Sequence, residues 1–126
     1  MASLSNYEAA RLLNYSLVNS NVYLALFQTS PGAGGTGTEA SGGGYARKPI
    51  SFTTPAQSGN LWQIQNSANV DFGEFSADLG SIGFFGLYNA ASGGNLRWYG
   101  AFDLTKTIQT GDSVVLPAGN LTVQLG

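Results

Sequence analysis

The segment Leu79-Gly-Ser-Ile-Gly-Phe-Phe-Gly-Leu-Tyr-Asn89 decides the fold. Its apolar residues fall on both alternating faces, which is typical of a strand at the centre of a sheet, and its glycines allow bulges or the close approach of a neighbour. The turn residues Ala90-Ala-Ser-Gly-Gly-Asn95 connect it to a second apolar stretch, Leu96–Phe102. Two strands joined by a glycine-containing turn form a β-hairpin. The sequence therefore predicts a fold built around an antiparallel sheet.

Short strand patterns continue on both sides of this hairpin. Val22–Phe27 is apolar on both faces. Tyr45–Phe52 alternates, but it contains Pro49, which cannot donate to a ladder and is typical of an edge strand. About seven or eight short strands at this spacing predict an antiparallel β-sandwich. The remaining strands are predicted at Leu61–Gln65, Asn69–Phe72, Ser113–Leu116 and Leu121–Leu125.

One short helix is predicted before the strands, over residues 5–18. Ser5 and Glu8 fit a capping box, in which the Ser5 hydroxyl accepts from the Glu8 amide and the Glu8 side chain reaches back. A stripe of apolar residues with helical spacing follows, and Asn19-Ser-Asn21 ends it. A chain of 126 residues has room for one domain. This domain, residues 1–126, is expected to comprise the helix, a glycine-rich loop or arm at 28–44 and a β-sandwich over 45–125.

The glycine-rich loop is the least ordinary part of the chain. Pro31–Arg47 contains seven of the 18 glycines. Such a composition buries little apolar surface and loses much backbone entropy when it is ordered. A gap of this length inside a compact domain is usually functional or mobile. We therefore interpret residues 28–44 as a flexible linker or, preferably, as an arm held in place by something outside its own domain.

The composition limits the possible partners. Charged residues make up 10% of the chain, whereas about 25% is usual in soluble proteins. Uncharged polar groups lose their hydration more cheaply than ions, so this surface suits a chain that is docked against other proteins. The net charge is −2 without a basic cluster, and the longest apolar run, Val22–Phe27, is too short to span a bilayer. Neither nucleic acid nor a membrane is expected as a partner.

The residue types present argue against catalysis. The chain has no histidine and no cysteine, which removes the usual pairs of nucleophile and base and also thiolate metal sites. A serine paired with Lys48 or Lys106 would lie in no recognisable motif. The glycines of the loop lack the Gly-Lys-Ser/Thr sequence that a phosphate-binding loop requires. We expect no enzyme activity, no cofactor and no metal ion.

Two groups of side chains remain as candidates for a site. Neighbouring carboxylates would suit a glycosidase pair or calcium, but carboxylates in loops and at strand ends usually cap turns or face solvent. Aromatic rings beside amides would suit a lectin-type, sugar-stacking platform, although a core or interface role is favoured. The carboxylates are Asp71, Glu74, Asp78 and Asp112, and the platform would comprise Trp62, Trp98 and Tyr99 with Asn60 and Asn95.

Three blocks of the sequence resemble a family of small virion proteins of tailed bacteriophages, described as tail-fibre-like or minor structural proteins. The opening Leu4-Ser-Asn-Tyr7 is also similar. The resemblance implies a structural role in the virion, and it carries no catalytic residue with it. The blocks are Gly35-Thr-Gly-Thr-Glu39 with Ser41-Gly-Gly-Gly-Tyr-Ala-Arg47, then Gly83–Ala101, then Ser113–Leu125 with Leu116-Pro-Ala-Gly-Asn-Leu-Thr-Val123.

Two placements in the virion follow from this resemblance. The one favoured by the sequence is a capsid decoration (cement) protein, a homotrimer that docks on the major capsid protein and bridges neighbouring subunits, since no repeat-built stalk is evident. The alternative is a tail or tail-fibre component that contacts host glycan through Trp98 and Tyr99. In the first placement the arm is the bridging element. Its expected partner-contact residues are Gly34, Gly37, Thr38, Glu39, Gly43, Tyr45 and Arg47.

Overall fold

The computed structural model describes residues 2–125, which are mostly β structure, with 44% strand and 10% helix. The predicted fold class, antiparallel β structure with one short N-terminal helix, is confirmed. The described residues form nine strands, where seven or eight were expected. Helix α1 spans Asn6–Leu13, and the strands are β1 (Val22–Phe27), β2 (Lys48–Ile50), β3 (Ala56–Ser58), β4 (Leu61–Gln65), β5 (Val70–Glu74), β6 (Gly80–Tyr88), β7 (Leu96–Ile108), β8 (Ser113–Leu116) and β9 (Thr122–Leu125).

The N-terminal helix begins as predicted. The Ser5 hydroxyl accepts a hydrogen bond from the Glu8 amide at 3.2 Å. The second half of the expected capping box is wrong, because the Glu8 carboxylate binds the Arg11 guanidinium instead. A charged donor one turn away is a stronger partner for a carboxylate than a neutral backbone amide. After Leu13 the helix continues as a π-helical turn, Asn14–Val18.

The described chain divides into two compact units, each assembled from segments that are distant in the sequence. Unit 1 comprises residues 2–21, Ile50–Val70 and 116–125, and it contains α1 and the three-stranded sheet β3-β4-β9. Unit 2 comprises Val22–Pro49 and Asp71–Val115, and the four-stranded sheet β2-β1-β6-β7 belongs to it. A third sheet consists of β5 and β8.

In unit 1 the central strand β4 pairs antiparallel with β3 and with β9, and α1 packs against β4. One buried polar side chain organises the turns beside this sheet. The Asn66 amide donates to the carbonyls of Ala68 and Pro117, and its oxygen accepts from the Leu121 amide at 2.9 Å. Because every polar atom of this buried amide has a partner, it fixes the two turns at little desolvation cost.

In unit 2 strands β1 and β6 lie at the centre of the four-stranded sheet. Their register runs from Tyr23 opposite Tyr88 to Phe27 opposite Phe84. The register of β6 against β7 shifts between Ile82 and Phe84. An added β-carbon at Gly83, between them, would lie 2.8 Å from the Thr105 hydroxyl. The predicted close approach of a neighbour at a glycine of this strand is thus confirmed, whereas the extra residues of the bulge lie on β7.

The structure departs from the strand predictions by more than one residue at β2, β3, β5 and β7, and β5 ends at Glu74 where Phe72 was expected. The predicted strand Tyr45–Phe52 shrinks to β2, since the residues before Lys48 turn away into contacts described below. Strand β7 continues six residues past Phe102, and after a bulge at its residues 102–105 it pairs again with β6, up to Ile108 opposite Gly80. Strand β3 was not predicted, because its three residues are all exposed and carry no apolar alternation.

Candidate functional site

The glycine-rich loop folds back on the strand that precedes it. The backbone amide of Gln28 donates to the Thr38 carbonyl at 2.8 Å, and the backbone amide of Ala40 donates to the Leu26 carbonyl at 2.9 Å. Between them, Phe27 and Glu39 form an antiparallel bridge. The loop is therefore held by its own unit, and the expectation of an arm anchored only from outside is corrected.

Two of the loop's seven glycines, Gly37 and Gly43, are closely packed. A β-carbon at Gly37 would lie 2.6 Å from the Thr29 carbonyl oxygen and would also clash with the Ser30 carbonyl oxygen. Gly43 has φ +62° and packs against the Ala77 backbone, and its carbonyl accepts from the Ser76 amide at 3.0 Å. At these two positions the absence of a β-carbon lets backbone approach backbone.

Arg47 forms the centre of the loop's attachment. Its Nε and Nη2 atoms donate to the two carboxylate oxygens of Glu39 at 3.0 and 2.9 Å. Its Nη1 atom donates to the carbonyls of Ala90 and Gly93, in the β6–β7 turn, at 3.1 and 2.7 Å. The guanidinium carbon lies 3.7 Å from the centroid of the Tyr88 ring, and only 8% of the side chain is exposed. We call the group Glu39, Tyr45, Arg47 and Tyr88 the Arg47 clasp.

Tyr45 completes the clasp from the other side of Glu39. Its hydroxyl donates to Glu39 Oε2 at 2.6 Å and accepts from the Leu26 amide at 3.0 Å. Its ring stacks on Phe72 with the centroids 6.2 Å apart. These contacts join the loop to β1 and to β5.

The electrostatics of the clasp keep Glu39 and Arg47 ionised. Burial opposes the charged form of Glu39, but hydrogen bonds from Arg47 and Tyr45 outweigh it, and the pKa of Glu39 is lowered. Burial raises the pKa of Tyr45, and the hydrogen bond to Glu39 raises it further. The phenol therefore stays protonated and remains a donor at neutral pH.

The structure brings the predicted contact residues together only in part. Glu39, Tyr45 and Arg47 meet in the clasp, beside an open pocket of about 410 Å³ whose outer wall includes exposed Ser41 and Ser92. Contact of the seven residues with a partner stays a prediction. Gly37 and Thr38 lie in the returning segment, Gly43 lies against Ala77, and Gly34 lies in the turn between Pro31 and Thr36.

The candidate carboxylates cap turns, as the favoured interpretation predicted. Asp71 accepts from the Gly73 amide, and Asp112 accepts from the Gln109 amide at 2.9 Å. Asp78 accepts from the Thr110 amide and hydroxyl, which lowers its pKa. Within residues 2–125 no three acidic side chains are grouped closely enough to hold a metal ion.

The aromatic candidates are divided between the two units. Trp62 lies on β4 in unit 1, whereas Trp98 and Tyr99 lie on β7 in unit 2. Trp98 is half-buried opposite Leu87, and Tyr99 is 47% exposed.

Trp62 contributes to a groove that sequence reasoning missed. Its indole Nε1 donates to Asn6 Oδ1 at 3.2 Å, which joins β4 to α1. The groove has a volume of about 470 Å³, and Tyr7 at its edge is 77% exposed. The only local signal is the spacing of residues 6, 10 and 14 on one helical face, because Trp62 is 56 residues away from Asn6. This α1–β4 groove is lined by Asn6, Tyr7, Ala10, Arg11, Asn14 and Trp62.

A comparison with protein-family models matches residues 3–124 to the family described as Podophage GP4 fiber I protein gp80. The chain belongs to this family. The resemblance to phage virion structural proteins is confirmed, and the chain is a structural protein of a phage virion. A search of the curated proteins finds no match. No helix in the described part of the chain has both the length and the apolar content to cross a membrane.

Proposed function

We propose that this protein is a component of the phage tail fibre and acts there as a non-catalytic contact module. The observation that carries the proposal is the match to a fibre family over residues 3–124. It favours the tail alternative over the capsid decoration that the sequence favoured. The charge-poor composition supports the same role, because such a surface is cheaply desolvated against neighbouring proteins.

The folded state of the loop also supports the fibre over decoration. Decoration by bridging needs an arm that leaves its own domain to reach a neighbouring capsid subunit. Releasing this arm would expose Arg47 and break its bonds to Glu39 and to the β6–β7 turn. Removing a largely buried charge from its partners is costly. The loop is therefore a fixed part of the surface of unit 2, and bridging to a neighbouring subunit would be costly.

We further propose that copies of this chain associate through β7, in a cyclic homo-oligomer such as the trimer expected from the sequence. Strand β7 ends the four-stranded sheet, and Leu104 on it is 82% exposed. The opposite end strand, β2, has three residues and carries Lys48 and Pro49, which protect an edge from pairing. A second copy would cover the edge of β7, whose 13 residues make it much longer than β2.

Placement in the virion is tested by labelling purified phage particles with an antibody against the chain and viewing them by electron microscopy. We expect label on the tail, together with a copy number, measured by quantitative mass spectrometry, far below that of the major capsid protein. Particles from a phage deleted for this gene provide the control for specificity. Label over the whole capsid shell at a copy number close to that of the major capsid protein would refute the fibre proposal and restore decoration.

A further inference from the structure

The α1–β4 groove combines features of a ligand site that no family description assigns. Its volume of about 470 Å³ lies within the usual range of roughly 300–1,000 Å³ for small-molecule sites. The indole of Trp62 forms part of one wall and the ring of Tyr7 stands at the edge. The groove lies wholly in unit 1, on a helix and a strand that pack against each other.

The Trp62 ring is already positioned before any ligand arrives. Its Nε1–H is bound to Asn6 Oδ1, so the ring plane is set by a hydrogen bond between the helix and the sheet. An aromatic side chain fixed in this way loses little further freedom when it stacks on a ligand. The bond also leaves the Asn6 amide group with two N–H donors beside the ring.

The charge at the groove is neutralised by an existing ion pair. The Arg11 guanidinium donates through Nε and Nη2 to both oxygens of the Glu8 carboxylate. The Glu8–Arg11 pair has no net charge that would attract an anion. Arg11 therefore offers the groove its remaining N–H donors and its aliphatic stem. The other polar groups of the lining residues are the side-chain amides of Asn6 and Asn14, the Tyr7 hydroxyl and the Trp62 indole N–H, which is bound to Asn6.

We propose that the α1–β4 groove binds a neutral saccharide. The apolar C–H face of a sugar ring matches an exposed aromatic ring, and its hydroxyls match amide groups, which both donate and accept. A charged ligand would find its counter-charge already paired, and a purely apolar ligand would leave the amides of Asn6 and Asn14 without partners. The groove thus selects for a ligand that is flat on one side, polar at its rim and uncharged.

The inference rests on the proposed fibre function and deepens it, because it names a ligand class for the contact module. It is tested on the isolated full-length chain, so its failure leaves the test of virion placement unaffected. The probe is an array of neutral and acidic oligosaccharides, followed by titration with the best neutral binder. The Trp98→Phe variant makes Trp62 the single tryptophan, and its fluorescence then reports directly on the groove.

Two exposed tyrosines of the N-terminal segment provide a matched pair of variants. Tyr7 is 77% exposed and lines the groove, whereas Tyr15 is 74% exposed and does not. Tyr7→Ala is expected to weaken saccharide binding about tenfold without loss of stability. Tyr15→Ala and Trp98→Phe are expected to leave the affinity within about twofold of the wild type, well inside the tenfold that 1.4 kcal/mol represents.

Several outcomes would overturn the inference. They are the absence of binding to any saccharide on the array, a preference for acidic saccharides, and equal losses in Tyr7→Ala and Tyr15→Ala. Loss of binding in Trp98→Phe with retention in Tyr7→Ala would assign the sugar to β7 instead. Binding of a neutral saccharide with a change in Trp62 fluorescence, at an affinity that Tyr7→Ala lowers about tenfold and Tyr15→Ala does not, would establish the groove as the site.

Discussion

Gly34 and Gly37 lie in the same loop, but only one of them is required by packing. Gly37→Ala would drive a β-carbon into the carbonyl oxygens of Thr29 and Ser30, which are backbone atoms that cannot rotate away. We expect the variant to lose about 2–3 kcal/mol of unfolding free energy, as overpacked sites do. At Gly34 the nearest atom is a Thr36 methyl at 3.7 Å, an ordinary contact.

Urea unfolding followed by circular dichroism measures both variants under the same conditions. Gly34→Ala is expected to change the unfolding free energy by less than about 0.5 kcal/mol. Equal destabilisation by the two substitutions would mean that the loop needs glycine for conformational freedom along its whole length. Negligible effects of both would mean that the loop is not packed in solution.

Glu39 makes part of the stability dependent on pH. Its pKa is lowered in the folded state from an ordinary value of 4.5, so the unfolded chain binds protons at a higher pH than the folded chain does. The contribution of the clasp is therefore complete above 4.5 and is lost as the pH falls through the folded-state value. Glu39→Gln is expected to destabilise the protein at neutral pH and to flatten the acid side of its stability profile.

The profile is obtained from urea unfolding at a series of pH values on both sides of 4.5. Glu74→Gln, on an exposed carboxylate of β5, serves as the control and is expected to keep the wild-type profile. If Glu39→Gln and the wild type lost stability in parallel on acidification, the clasp would not be the source of the pH dependence.

Among the elements, β7 carries the proposed self-association. Leu104→Lys places a charge on the exposed edge segment, where it would have to be desolvated in the oligomer. We expect the variant to be monomeric by light scattering coupled to size-exclusion chromatography. Val115→Lys, at a 48% exposed position on β8, is expected to keep the wild-type mass. A monomeric wild type, or an unchanged mass in Leu104→Lys, would refute association through β7.

The elements also show where local pattern was sufficient. Strands β1, β4 and β8 have the predicted bounds, because alternation and flanking turn residues are properties of neighbouring positions. The predicted strand at Tyr45–Phe52 failed where Tyr45 and Arg47 are drawn into the clasp. Glu39 is only six and eight positions away from them, but their other hydrogen-bond partners lie 19 to 46 positions away, so no local window contains the whole group.

At the scale of the whole molecule, both compact units are built from discontinuous segments. The expectation for the loop was wrong in one respect, since its anchor residues bind within unit 2. The groove was missed because it joins Asn6 on the helix to Trp62 on β4. Of the candidate site, the sequence thus supplied the chemical types of the side chains, while their grouping needed the fold.

The sequence alone determined the β content, the lack of histidine and cysteine and membership of a phage virion family. These are properties of composition and of contiguous patterns. Only the tertiary structure decided that the glycine-rich loop is clasped, because Arg47 reaches carbonyls 43 and 46 positions away. Such contacts require loop closure, which costs conformational entropy. The packing of the whole unit offsets this cost, and no single segment of the sequence contains that packing.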